Sequence, residues 1–168
     1  MIFEGNFTAG SCDSIGKMLY PNGDIYFGTQ KGFIKDGQGK LIMANGSSYE
    51  GGWANDRKFG NGLLRDAVSG DVYNGAFSEG KRNGRGRQYY HGKNEIYDGE
   101  WANDKRSGEG FVITRKGVVS SGEFRADNME GKLTYQKTLP AQEADKIFKV
   151  MTNTNDMFIV VNRKSKLE

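Results

Sequence analysis

Cysteine is almost missing from this chain: Cys12 is the only one in 168 residues. No disulfide framework can form within it, and no Cys/His cluster has metal-ligand spacing. Histidine is as scarce. His91 stands alone, in a predicted turn, where a solvated side chain is the ordinary outcome rather than a base. Cys12 also falls in a predicted turn, with no second histidine to activate it as a nucleophile. Pairs such as Gly84-Arg85-Gly86 lack the strand–loop–helix setting and the Lys-Ser/Thr of a phosphate loop. These absences argue against a free-standing enzyme, and no cofactor or metal is expected. Long apolar runs are missing too. No stretch approaches the ~20 residues of a membrane span, and residues 1–20 lack the basic start and apolar run of a signal peptide. An intracellular, soluble chain is the simplest reading. Hydrophobic residues make up only 36% and mean hydropathy is −0.70, thin for a compact core and close to what disorder would give.

Glycine is what the chain has instead, and its 25 glycines keep a fixed phase. Tyr97-Asp98-Gly99-Glu100-Trp101 is followed by a polar stretch and then Gly108-Glu109-Gly110. The same phrase stands at Tyr49–Trp53 with Gly60 and Gly62, and at Tyr73–Phe77 with Gly84 and Gly86. A phrase that returns at a fixed interval is a structural unit. The interval is 23 or 24 residues, which divides the chain into units 3–25, 26–48, 49–72, 73–96, 97–119 and 120–135. Most units close on a second turn signal, as at Pro21-Asn22-Gly23, Asn45-Gly46, Ser69-Gly70-Asp71, His91-Gly92-Lys93 and Lys116-Gly117. A repeat array can manage with little core, because each unit need only cover its neighbours.

This register resembles the MORN repeat (membrane occupation and recognition nexus), whose motif is similar to Tyr-x-Gly-x-Trp-x-x-Gly-x-x-x-Gly-x-Gly. The resemblance covers roughly residues 3–135. It departs at Gln30, which replaces the second aromatic of unit two. Phe33, Asp56 and Asp104 stand where a mid-turn glycine is usual, Ser120 replaces the first aromatic of unit six, and Leu133 its last glycine. Unit six reads as a terminal cap. The first unit begins at Phe3, as an excised piece of a longer array would, and Leu167-Glu168 reads as a vector scar.

Within a unit, Tyr97, Gly99 and Trp101 alternate with Asp98 and Glu100, which predicts a strand with one apolar face. Ala102 to Ser107 is expected to turn the chain, and Gly108, Gly110, Val112 and Thr114 to share one face of the returning strand. The expected fold is mainly β: an elongated, single-layer, twisted antiparallel sheet of stacked hairpins, about twelve strands in all. Beyond it, 136–168 reads as a capping tail. Ala144, Ile147, Phe148 and Met151 sit at helical spacing behind Pro140, with Asn153 or Asn155 as the helix end. Met157–Val161 reads as a short strand, followed by the basic Arg163, Lys164 and Lys166. Either this tail covers the last hairpin and the open sheet edge, or its helix docks into the aromatic groove of this or another copy.

Two sets of residues carry the functional expectation. The rings and neighbours Tyr49, Trp53, Leu64, Tyr73, Phe77, Tyr90, Tyr97, Trp101 and Phe124 fall on the apolar face. There they cover bare glycine backbone, each cross-strand pair contributing roughly 0.2–1 kcal/mol. A curled single-layer sheet also leaves such a face as a concave groove. The resemblance implies that grooves of this kind accept partner segments, often helical. The second set is Arg57-Lys58, Lys81-Arg82 and Lys105-Arg106, at one phase of three successive units, expected to stack into a basic row. It is either ordinary turn solubility or a contact with anionic lipid head groups, worth ~1 kcal/mol per basic residue near such a surface. The leading expectation is a non-enzymatic scaffold or adaptor that binds a protein segment along the aromatic face. The alternatives are a membrane adaptor reading anionic phospholipids such as phosphoinositides, and a regulatory arm of a larger enzyme. The resemblance further implies a cytoplasmic protein associated with cytoskeleton, cilium or membrane. Nucleic acid is not expected at a net charge of +3 without a groove-entering motif. Free terminal edges would permit a homodimer.

Overall fold

The computed structural model describes residues 2–5 and 15–152. Cys12 and the expected strand Met157–Val161, its basic flank, both candidate helix ends and the terminal Leu167-Glu168 lie outside them. The described residues form one sheet of 12 strands in sequence order. They are β1 (Ile2–Gly5), β2 (Ile15–Leu19), β3 (Ile25–Lys31), β4 (Ile34–Ile42), β5 (Ser48–Ala54) and β6 (Arg57–Arg65). They continue as β7 (Val72–Ser78), β8 (Lys81–Tyr90), β9 (Glu95–Ala102), β10 (Lys105–Thr114), β11 (Val118–Arg125) and β12 (Asn128–Thr138), followed by helix α1 (Ala141–Thr152). All pairings are antiparallel, so the expected stack of hairpins is the fold. β12 runs past the expected end of unit six to Thr138.

The hairpin turns are tighter than the polar stretch suggests. In unit five the turn is only Asn103-Asp104, with φ of 50° and 68°, and β10 begins at Lys105. Asn55-Asp56, Glu79-Gly80 and Ala126-Asp127 likewise place two successive residues at positive φ, the two-residue hairpin loop whose twist matches that of the strands. Lys105, Arg106 and Ser107 are therefore strand, paired with Ala102, Trp101 and Glu100.

A register shift follows between Ser107 and Gly110 and recurs in unit three between Gly51 and Trp53 and in unit four between Gly75 and Phe77. The bulge gives the Gly-x-Gly pair two different tasks. Gly108 sits at the shift with φ of 59°, and a Cβ there would meet the Glu100 carboxylate, whereas one on Gly110 would meet the Tyr97 ring. Gly108 therefore does not share a face with Gly110 and Val112, as strict alternation would have it, because the bulge resets the period.

The sheet has two apolar faces. One carries Tyr26, Tyr49, Trp53, Tyr73, Phe77, Tyr97, Trp101 and Phe124. The other carries Val72, Tyr89, Ile96, Ile113 and Val119, covered by Phe148 and Met151 of α1. The helix is where its periodicity puts it, with Ala144, Phe148 and Met151 buried. It spans β7 to β11, more than the last hairpin, and it lies on the face opposite the rings, so it does not occupy the aromatic groove. Arg115 fixes it, pairing with Asp145 at 3.1 Å and lying over the Phe148 ring.

Candidate binding face

The rings of the first face stand in single file, each edge-on to the next. Tyr26 meets Trp53 at 5.6 Å, Trp53 meets Tyr49 at 5.1 Å, and Tyr49 meets Phe77 at 5.1 Å. The file continues through Tyr73, Trp101 and Tyr97 to Phe124, at centroid separations of 5.0–5.3 Å. Each unit's second ring thus wedges between its own tyrosine and that of the preceding unit. Edge-to-face pairs of this kind contribute about 0.5–1.5 kcal/mol beyond the area they bury.

Each tyrosine lies across glycine backbone. An added Cβ would come within 2.4 Å of the Tyr49 hydroxyl at Gly62, and within 2.2 Å of the Tyr73 hydroxyl at Gly86. The hydroxyl then donates to the carbonyl three residues on: Tyr26 to Thr29 at 2.7 Å, Tyr49 to Gly52, Tyr73 to Ala76 and Tyr97 to Glu100, each of these at 2.9 Å. Trp53 and Trp101 donate their indole N–H to Gly39 and Gly86 carbonyls, both at 3.1 Å. Burial pushes the tyrosine hydroxyls up, to about 12 for Tyr97 and further for Tyr26, Tyr49 and Tyr73.

The basic pairs do not form one row. The short turns start each return strand directly at the pair, so its two members point to opposite faces. Arg57, Lys81 and Lys105 are exposed at the hairpin-turn edge on the helix side. Lys58, Arg82 and Arg106 lie on the ring face, over the rings. Lys58 Nζ stands over Tyr49 and Phe77, the Arg82 guanidinium over Tyr73 and, at 4.3 Å, Trp101, and Arg106 over Tyr97 and Phe124. Lys35 extends the series over Tyr20, Tyr26 and Trp53. Spacing alone did not reveal Lys35, because Ile34 stands where the other units have the first basic residue of the pair.

Of the expected groove residues, Tyr49, Trp53, Tyr73, Phe77, Tyr97, Trp101 and Phe124 are at most 6% exposed. Leu64 and Tyr90 are only partly buried against them, as are Tyr20, Leu41 and Val112. The outer surface of this face is therefore a band of half-buried apolar side chains beside four cations. The helix face holds a different feature, an apolar recess of about 400 Å³ between α1 and β10–β12, lined by Phe111, Ile113, Val119, Tyr135 and Ile147 among others. Among the described residues no helix is long and apolar enough to cross a membrane.

The family model of the MORN repeat matches residues 3–25, 34–48, 49–68, 73–94 and 97–117. Among curated proteins, the chain is similar to alsin of Rattus norvegicus, 29% identical over 89 residues, covering 50% of this chain and 5% of alsin. Human alsin is 30% identical over 89 residues, again 5% of its length. Phosphatidylinositol 4-phosphate 5-kinase 1 of Oryza sativa subsp. japonica is 40% identical over 45 residues, 27% of this chain and 6% of the kinase. The chain thus spans a small fraction of the curated relatives it matches. Among solved structures, the TCP10c domain of Drosophila melanogaster Sas-4 is similar at 13% identity and a TM-score of 0.34, over 73% of this chain and 93% of that domain.

Proposed function

Since the chain belongs to the MORN-repeat family, we propose that it is a non-enzymatic scaffold or adaptor module that binds a partner protein segment, helical in form, along the ring face of its sheet. The observation that carries this reading is the asymmetry between the two faces. The helix face has α1 as a second layer. The ring face has no such layer among the described residues, yet it presents Tyr20, Leu41, Leu64, Tyr90 and Val112 half-buried along its length. An apolar helix face laid on that band would bury them. Trp53 and Trp101 are core residues, so the discriminating substitutions are Leu64→Glu and Tyr90→Glu. The double variant should keep its β circular dichroism and lose proteins that wild type captures from native lysate. Identical capture lists from a folded variant would reject the ring face as the binding surface.

A second reading is favoured by the exposed half of the basic pairs. Lys81 and Lys105 are exposed along one edge and form no ion pair among the described residues, while Arg57 pairs with Glu79. That edge suits anionic phospholipid head groups, at ~1 kcal/mol per residue, and the match to a phosphoinositide kinase is in keeping with it. Flotation on vesicles containing phosphatidylinositol bisphosphate should then weaken with salt and fail for Lys81→Glu with Lys105→Glu. A module of this kind also suits an arm of a larger enzyme, a reading supported by the short match to the kinase.

A further inference from the structure

The cations of the ring face repeat one arrangement, and one copy of it is incomplete. Lys35 pairs with Asp56 at 2.7 Å, Arg82 with Asp104 at 3.2 Å and Arg106 with Asp127 at 3.5 Å. Each aspartate is the second residue of the next unit's two-residue turn. Its backbone N–H also donates to the carbonyl of the same basic residue, at 3.0, 3.0 and 3.1 Å. At Lys58 the matching turn residue is Gly80. Gly80 makes the same backbone bond to the Lys58 carbonyl, at 3.0 Å, but it brings no carboxylate. The neighbouring Glu79 is taken by Arg57. Lys58 is left over the Tyr49 and Phe77 rings, 5.7 and 5.2 Å from their centroids, with no ion pair among the described residues. A Cβ built on Gly80 would meet nothing within 4 Å, so the space that an aspartate side chain would enter is open.

We infer that Lys58, at the Gly80 gap, receives a carboxylate from an acidic partner segment docked on the ring face. The inference rests on the proposed function above and specifies its partner. The chemistry at three sister positions is an ammonium or guanidinium on two or three rings, closed by a carboxylate. The fourth position has the rings and the cation and lacks only the acid. The flanking rings displace water, so a carboxylate arriving here meets a cation that is poorly solvated and has no carboxylate at ion-pair distance among the described residues; desolvation lowers the Lys58 ammonium below its ordinary range, and the more distant Asp104 charge, already paired with Arg82, offsets that only in part. Leu64 pairs with Tyr49 on the adjoining row of the same face, so the acid and an apolar contact would come from one segment.

The test uses the full chain and two synthetic sixteen-residue peptides of Leu, Ala and Glu, identical except that every Glu of the first is Gln in the second. Binding is followed by NMR at the Leu64 methyls and the Lys58 ammonium. The Glu peptide should bind wild type about tenfold tighter than the Gln peptide and shift both probes. Gly80→Asp supplies the missing acid internally, in a conformation that Asp56, Asp104 and Asp127 already adopt. It should abolish the preference while leaving the Gln-peptide affinity unchanged, and Lys58→Gln should also abolish the preference. Equal binding of both peptides, with Leu64 shifting, would overturn the inference and leave the ring face as a binding surface. A preference that survives Gly80→Asp would also overturn it, by assigning the charge contact to other cations. If neither peptide shifts Leu64 or Lys58, both readings fall. If only phosphatidylserine vesicles shift Lys58, its anion is a lipid phosphate and the protein carboxylate is rejected.

Discussion

Gly60 and Gly62 stand two residues apart in β6 and are glycine for different reasons. Gly60 has a φ of 66° with open space around it, whereas a Cβ on Gly62 would sit 2.4 Å from the Tyr49 hydroxyl. Gly60→Ala should therefore cost about 1 kcal/mol, the left-handed penalty offset in part by a stiffer unfolded chain. Gly60→Asn should cost less, since asparagine visits that region more readily. Gly62→Ala must displace a ring wedged between Trp53 and Phe77, an overpacking cost of about 3 kcal/mol. Urea titrations of the three variants would separate the effects; equal losses at both positions would mean that the ring tolerates the methyl group. The tyrosines make a second prediction at this scale. Their ordinary value is 10.0, and burial raises Tyr26, Tyr49, Tyr73 and Tyr97 above it. The unfolded chain thus releases these protons near pH 10 while the folded chain still holds them. Stability is fully present below pH 10 and falls as pH rises toward the folded values, by up to ~1.4 kcal/mol per pH unit for each tyrosine. Because the hydroxyls donate to backbone carbonyls, ionisation also breaks four repeated hydrogen bonds. The protein should unfold cooperatively above about pH 10.5, with the 295 nm phenolate absorbance and the loss of β circular dichroism rising together. Phenolate formation while the sheet remains intact would show the rings to be open to solvent.

At the scale of the element, the sequence was most legible where a period was unbroken. Alternation at Tyr97, Gly99 and Trp101 marked β9, and the 3.6-residue spacing of Ala144, Phe148 and Met151 marked α1. The return strands were less legible. Lys105-Arg106-Ser107 is polar and follows Asn-Asp, so it reads as loop. Only the left-handed φ of both Asn103 and Asp104 closes the turn in two residues and draws those polar residues into β10. The same shortening sends Lys105 and Arg106 to opposite faces, which the doublet spacing could not show. The bulge before Gly110 had no separate signal either, beyond the first glycine of Gly-x-Gly. The site of α1 was hidden for another reason. Both faces carry apolar residues, and the helix stripe does not say which of them it fits. Its docking rests on Phe148, 1% exposed and edge-on to Tyr89 at 5.8 Å. Phe148→Ala should cost about 3 kcal/mol and loosen α1. Proteolysis between Leu139 and Thr152 should then speed up while the hairpin sheet stays folded. An unchanged cleavage rate would mean that Arg115–Asp145 and Met151 hold the helix without the ring.

Across the whole molecule, each strand pairs only with its sequence neighbours, so stability is close to a sum over adjacent units. Twelve strands at ~4.8 Å give a sheet on the order of 55 Å long, too long for one end to sense the other except through that chain of contacts. Cover is uneven along it. β4 contains no buried residue and β1 none, while β7 has Val72, Tyr73 and Phe77 buried and lies between the ring file and the end of α1. Local opening should therefore follow position. Amides of β7 to β10 should exchange with deuterium most slowly, and those of β2 to β4 at least tenfold faster. Phe148→Ala removes cover from β7 to β11 alone, so it should lower protection there and leave β2 to β4 unchanged. Gly80→Asp, which adds a carboxylate between units three and four, should raise protection on both sides of that junction and fade with distance from it. Uniform protection along the sheet, moved everywhere alike by either substitution, would instead mean that the twelve strands open as one cooperative body, with coupling beyond nearest neighbours.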